Sequence, residues 1–143
     1  MQTIPKQARI WLDNAKDDLA TAKAMLCARR YNYTAFMGQQ CLEKLLKGIY
    51  ILHKNEPPPY IHDLVKLGQR VEMDIPDGIQ TSLAAISNHY IAARYGEVRS
   101  NYNRQIAEDV LAKTEEAYQW FTETLNLTTS SKNSPTASSS VST

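Results

Sequence analysis

Three histidines, two cysteines and one arginine- and tyrosine-rich stretch are the parts of this sequence whose chemistry goes beyond packing. His53, His62 and His89 are far apart, and none has a second ligand three or four residues away on its own helix. Neither HExxH nor Glu-x-x-His occurs, so no metal ligands are expected. Cys27 and Cys41 lack the spacing of a zinc site and the density of a disulfide framework, which predicts reduced, buried thiols. The signatures of nucleophilic serine and cysteine enzymes are absent. The five glycines are scattered singly, so no phosphate-cradling loop is expected and no cofactor is implied.

Two constellations remain. The pair His62-Asp63 follows a proline turn, where an aspartate can cap a helix by accepting backbone N–H bonds and a histidine can be held by a carboxylate or carbonyl. The alternative is a catalytic histidine, which needs a second polar group from another helix. Between Arg94 and Arg104, three arginines and two tyrosines fall within eleven residues. Arg94 and Arg99 can grip phosphate oxygens in a bidentate fashion, while Tyr95 and Tyr102 offer flat faces for base stacking. The competing reading pairs Arg94 and Arg104 with acids such as Glu108 or Asp109 and leaves the tyrosines to pack. Both readings stand open.

The elements that must position these groups are helical. From Pro5 to Arg30, the residues Ala8, Leu12, Ala15, Leu19, Ala22 and Leu26 form one stripe, with Trp11 and Met25 at its edge and Asp13, Lys16, Asp17 and Lys23 towards solvent. After a break at Tyr31-Asn32, a second helix from about Tyr33 to Lys54 has a broader apolar arc, from Ala35, Gly38 and Cys41 to Ile49 and Leu52. That breadth predicts the central helix, with Gln39, Gln40, Glu43 and Lys47 on its wetter side and Glu43 and Lys47 spaced for an ion pair. If the two helices form a hairpin, Cys41 falls opposite about position 21, too far from Cys27 for a disulfide.

Pro57-Pro58-Pro59 ends the second helix. A short helix is expected from about Asp63 to Met73 and another from about Pro76 to Tyr90 around Ile79, Leu83 and Ile86. Residues 91–103 lose periodicity and read as a loop. Asn103 is placed to cap a last helix to about Leu125, with Ile106, Val110, Thr114, Ala117, Tyr118 and Phe121 inward. Trp120 lies off that stripe, which leaves a second apolar contact surface or burial under the tail. The expectation is an all-α, up-and-down bundle of four to five helices over residues 5–127. Residues 128–143, rich in Ser and Thr, read as a disordered tail.

The length suits one domain, and 16 basic against 15 acidic residues leave no whole-chain signature of nucleic-acid or membrane binding. The absence of a leader-like or membrane-spanning run predicts a cytoplasmic protein without a membrane partner.

Four segments occur in an order that resembles the HEPN domain family: Trp11-Leu12-Asp13-Asn14-Ala15-Lys16-Asp17-Asp18-Leu19, then Gln39-Gln40-Cys41-Leu42-Glu43-Lys44-Leu45-Leu46-Lys47, then His62-Asp63-Leu64, then Ala93-Arg94-Tyr95. The resemblance implies a helical bundle, commonly a homodimer. It also implies an accessory role beside a small nucleotidyltransferase in prokaryotic toxin–antitoxin or defence systems, with nucleotide or RNA binding by Arg94, Tyr95, Arg99, Tyr102, His62 and Asp63. The catalytic branch of that family carries an arginine followed by four to six residues and a histidine. No arginine lies at that distance before His53, His62 or His89, so the resemblance implies binding rather than catalysis. The alternatives are a metal-independent RNase with a non-standard site, using His62 and Arg94, and a structural helical adaptor. Gly96 also departs from the proline that often follows the Arg-Tyr pair.

Overall fold

The computed structural model describes residues 3–89 and 101–127, and five helices with no strand occur among them. They are α1 (Lys6–Cys27), α2 (Tyr31–Lys54), α3 (Leu64–Arg70), α4 (Asp77–Ser87) and α5 (Arg104–Thr124). The expected all-α bundle is what forms. The segments 90–100 and 128–143, which include Arg94, Tyr95, Arg99 and the tail expected to be disordered, lie outside the described residues.

The α1–α2 hairpin is the main interface. Ala8, Ala15, Ala22 and Ala35 are fully buried, and these small side chains let the helices approach closely. At Gly48 the helices leave no room for a side chain: an added Cβ would stand 2.8 Å from Leu12 Cδ2 and 3.2 Å from Trp11 Cβ. Asp18 on α1, 7 % exposed, reaches Lys44 on α2 at 2.7 Å. These pairings place Cys41 opposite about residue 20, as the hairpin register predicts. Both cysteines are free; Cys41 is buried, but Cys27 is exposed at the last position of α1, so only one of the two expected packing thiols packs.

The hairpin turns earlier than the sequence suggests. α1 stops at Cys27, and Arg29 adopts a left-handed conformation with φ 62° while the Arg30 N–H donates to Met25 O at 2.8 Å. This is the Schellman closure that glycine usually provides. α2 then starts at Tyr31 rather than after it.

α2 is the central helix and packs against α1, α5, α3 and α4, while α5 also packs against both α4 and α1. The apolar arc of α2 is buried as expected, from Ala35 to Ile49. α5 runs parallel to α2: Arg104 lies over the Tyr31 ring, and Gly38 faces Val110 and Thr114 one to two turns further along. On α5, Asn103 Oδ1 accepts the Ile106 N–H at 2.8 Å, the expected cap. Ile106 itself is 36 % exposed, and its neighbour Ala107 takes the inward place. Trp120 is partly buried against the core and meets the Phe121 ring edge-on. No described helix is long and apolar enough to cross a membrane.

Gly48→Ala tests the close approach. The methyl gain in helix propensity, about 1 kcal/mol, is outweighed by the clash with Leu12 and Trp11, and a net loss of about 1–2 kcal/mol is expected in urea unfolding. An unchanged midpoint would show that α1 yields freely.

Candidate functional site

His62 sits on the connection between α2 and α3, where Pro57–Pro59 stop the helix and lead the chain back along it. Ile61 turns inward against the core, while Tyr60 and His62 on either side face out. Asp63 begins α3 by accepting the N–H groups of Val65 and Lys66 at 2.9 and 3.1 Å, so its carboxylate performs the capping expected of it. Leu64 N–H donates to Ser87 Oγ at 3.0 Å, which ties the start of α3 to the end of α4.

The second polar group that His62 needs comes from α2. His62 Nδ1 lies 2.9 Å from Glu43 Oε2. Lys47 Nζ is also 2.9 Å from that oxygen, and Gln39 Nε2 donates to Glu43 Oε1 at 3.1 Å. Gln39 further donates to His62 O at 3.0 Å and accepts from Gln40 Nε2 at 2.8 Å. Lys47 Nζ stands 5.6 Å from the centre of the Trp11 ring, within cation–π range. The ion pair between Glu43 and Lys47 is therefore real, but its setting corrects the sequence reading: Gln39, Glu43 and Lys47 are buried, at 0 %, 6 % and 5 % exposure. The residues that cover them, His62 and Trp11, come from other segments.

Burial pushes the Glu43 carboxyl up, but hydrogen bonds from Lys47, Gln39 and His62 and the lysine charge outweigh it, leaving the group below the ordinary carboxylate range. An ionised carboxylate only accepts, so it holds the His62 proton on Nδ1 and makes Nε2 the basic ring nitrogen. The imidazole is half-exposed, against 8 % for the Glu43 side chain. Geometry thus provides an oriented histidine of fixed tautomer at the surface, backed by a buried charge. That arrangement can accept a hydrogen bond or a proton from a bound group.

A second polar pair joins the stems of the connector 90–100. His89 Nδ1 is 2.6 Å from Tyr102 Oη, and the rings are 5.5 Å apart. Burial lowers the His89 pKa, with Asp109 opposing and Lys113 assisting. Tyr102, expected as a stacking face, is partly buried, and burial raises its hydroxyl. Arg104 pairs with Glu108 at 3.7 Å and covers Tyr31, the structural alternative for that arginine, while Asp109 pairs with Lys113. His53 binds Val71 O at 3.0 Å and secures the end of α2. No group of three or more His, Cys, Asp or Glu side chains among the described residues could hold a metal ion.

The sequence reading singled out His62 but not its partners Glu43 and Gln39. Their signal was a polar row on a helix whose apolar arc was already unusually broad. His89 was weighed as a metal ligand and against the arginine–histidine spacing, not as a partner of Tyr102.

Two outcomes follow. Glu43→Gln strands the Lys47 ammonium and should cost about 3 kcal/mol in urea unfolding, with partial recovery when Lys47→Met is added; equal stability of all three proteins would contradict a functional ion pair at the core. For His89, the unfolded chain takes up a proton near its ordinary value of 6.5, before the folded chain does. Its contribution to stability is therefore whole above that pH and is lost as pH falls below it. Thermal melts between about pH 7 and pH 5 should show a decline that His89→Gln flattens.

The HEPN domain model matches residues 8–125. The chain is 26 % identical over 125 residues to the protein named "Putative toxin MJ1304" of Methanocaldococcus jannaschii, covering 77 % of this chain and 82 % of that one. Two solved structures share the fold. The crystal structure of TT1696 from Thermus thermophilus superposes with a TM-score of 0.76 at 24 % identity, covering 83 % of this chain and 98 % of the other. That of ST0689, described as an archaeal HEPN homologue, gives 0.70 at 21 % identity, with 82 % and 97 % covered. With the helices, their order and the family model in agreement along most of its length, the chain belongs to the HEPN domain family.

Proposed function

We propose that this HEPN protein is a cytoplasmic accessory protein of a prokaryotic toxin–antitoxin or defence system, acting as a homodimer beside a small nucleotidyltransferase and binding nucleotide or RNA. Its working unit is residues 5–127. The observation that carries this reading is the His62 cluster on a HEPN scaffold: an oriented, half-exposed imidazole backed by buried Glu43. The toxin name of the Methanocaldococcus relative supports the setting. In this proposal His62 and Tyr102 meet the ligand together with Arg94, Tyr95 and Arg99 of the connector. Asp63 contributes by fixing the start of α3, since its carboxylate is engaged there.

One observation favours a second reading, a metal-independent RNase. The Glu43–His62 pair has the makings of a general base, and an arginine such as Arg94 on the scissile phosphate would complete a minimal site. Against it stands the missing arginine–histidine spacing.

Labelled RNA incubated with the purified protein in EDTA separates the two. We expect no cleavage by the protein alone, ATP or GTP binding by calorimetry, and weakened binding in His62→Ala and Arg94→Ala. Cleavage that both substitutions abolish would replace the accessory reading with the nuclease. Neither binding nor cleavage would leave a structural adaptor.

A further inference from the structure

Between α2 and α3 the sequence Pro57-Pro58-Pro59-Tyr60 crosses the surface outside any helix. Each proline ring holds its own φ, and a residue before proline is kept out of helical conformation, so Pro57 and Pro58 are restricted twice over to the polyproline II form. That form repeats every three residues and rises about 3.1 Å per residue, which puts Pro57 and Tyr60 on one edge, about 9 Å apart. The exposures follow this repeat: Pro57 and Tyr60 are open, while Pro58 and Pro59 are partly buried. Tyr60 is 102 % exposed, as open as in an isolated peptide, and has no hydrogen-bond or ring partner among the described residues. The Ile61 N–H donates to Pro59 O at 2.9 Å, closing a three-residue turn with Tyr60 at its apex.

Both ends of the segment are pinned. Upstream, Asn55 takes a left-handed conformation with φ 56° and its N–H returns to Ile51 O, while Glu56 accepts the Tyr50 hydroxyl at 2.8 Å. Downstream, Ile61 packs against the core and His62 is held by Gln39 and Glu43. A segment fixed at both ends loses little freedom when bound.

We propose that this edge docks another protein: Pro57 and Tyr60 enter a groove lined by aromatic side chains, whose donors meet the proline carbonyls.

The surroundings select that occupant. No lysine or arginine lies between residues 55 and 65, and Lys54 is paired with Glu72 at 2.8 Å, so a nucleic acid finds no cations for its phosphates here. A second copy has no aromatic groove to offer among its described residues: Trp11 lies beside Lys47, Tyr31 under Arg104 and Trp120 against Phe121. The segment 128–143 contains no aromatic residue at all. A proline edge carrying one open tyrosine matches instead the way aromatic grooves grip polyproline II turns, with the proline against a ring and the tyrosine in a neighbouring pocket. Tyr60 lies two residues from His62, and the test separates this surface from the ligand proposed for the histidine.

The full-length protein is titrated with a fluorescent WW domain of the kind that binds Pro-Pro-x-Tyr, used as a probe groove, and with the same domain after alanine replaces its groove aromatics. The intact domain should bind saturably and the altered one should not. Tyr60→Ala and Pro57→Ala, both at exposed positions, should each weaken binding about tenfold or more while thermal melts stay unchanged. A peptide of residues 54–62 should bind more weakly than the folded protein, because the peptide must first be ordered. Calorimetry with ATP and GTP should give the same result for Tyr60→Ala as for the unaltered protein. No binding, equal binding by the altered domain, or a peptide that outcompetes the protein would overturn the proposal. So would a loss of nucleotide binding in Tyr60→Ala, which would assign the ring to the His62 ligand, or the loss of a dimer in sedimentation, which would assign it to a second copy.

Discussion

A carboxylate taken out of water costs several kcal/mol unless donors replace its hydration, and Glu43 lies at the middle of the longest buried surface in this molecule. Lys47 and Gln39 supply donors from the same helix, but the last comes from His62, nineteen residues away on the connection to α3. Satisfying Glu43 therefore decides the path of that connection. With His62 held, Ile61 is directed into the core, Asp63 is placed to start α3, and Leu64 reaches Ser87 of α4. The α3–α4 pair is short but buries Leu64, Leu67, Leu83 and Ile86 in the core, and the polar cluster adds a directional contact at its start. The same interaction fixes the histidine's tautomer, so a packing requirement and a chemical disposition are met by one hydrogen bond.

The α1–α2 interface supplies the rigid wall that this cluster leans on. Alanines and Gly48 bring the backbones together, and Trp11, set beside Gly48, lies over the Lys47 side chain. A larger residue in place of Gly48 would move Trp11 and with it the cover over the lysine. Geometry at the hairpin and charge satisfaction at the polar cluster are thus coupled through a single aromatic ring. The Asp18–Lys44 pair, also largely withdrawn from solvent, holds the two helices in the register that the cover requires.

Much of this was legible in the amino-acid order, because stripes of apolar residues at helical spacing depend only on local geometry. Ala8 to Ala22 on α1, Ile79 to Ile86 on α4, the caps Asp63 and Asn103, and the hairpin register all follow from that. The burial of Gln39, Glu43 and Lys47 does not. A helical wheel shows which face is apolar but not what a proline-led segment will lay across the polar one. The early turn at Arg29 was hidden for a different reason: the left-handed position is held by a residue whose type does not announce it, and the compensating Arg30-to-Met25 bond exists only in the folded turn. Ile106 misled by continuing a stripe one residue past the place where α5 still had a neighbour. The arginine-bearing connector, the most suggestive stretch by composition, is met in the structure only through its stems, His89 and Tyr102.

The parallel course of α2 and α5 has an electrostatic consequence. At the end of the bundle where both begin, α1 finishes just before Tyr31, and α4 finishes near the His89–Tyr102 contact. Two helix starts and the α1 finish come together there, and the α4 finish meets the start of the short α3 through Leu64 and Ser87; each terminus is worth about half a charge, so the backbone macrodipoles offset one another except for the seven-residue α3. Among the described residues, the potential at that pole falls to side chains: Arg29 and Arg30 at the turn, and Arg104, shared with Glu108. An anion approaching along the long axis would feel guanidinium groups rather than aligned peptide units, with a reach of only about 8–10 Å in physiological salt.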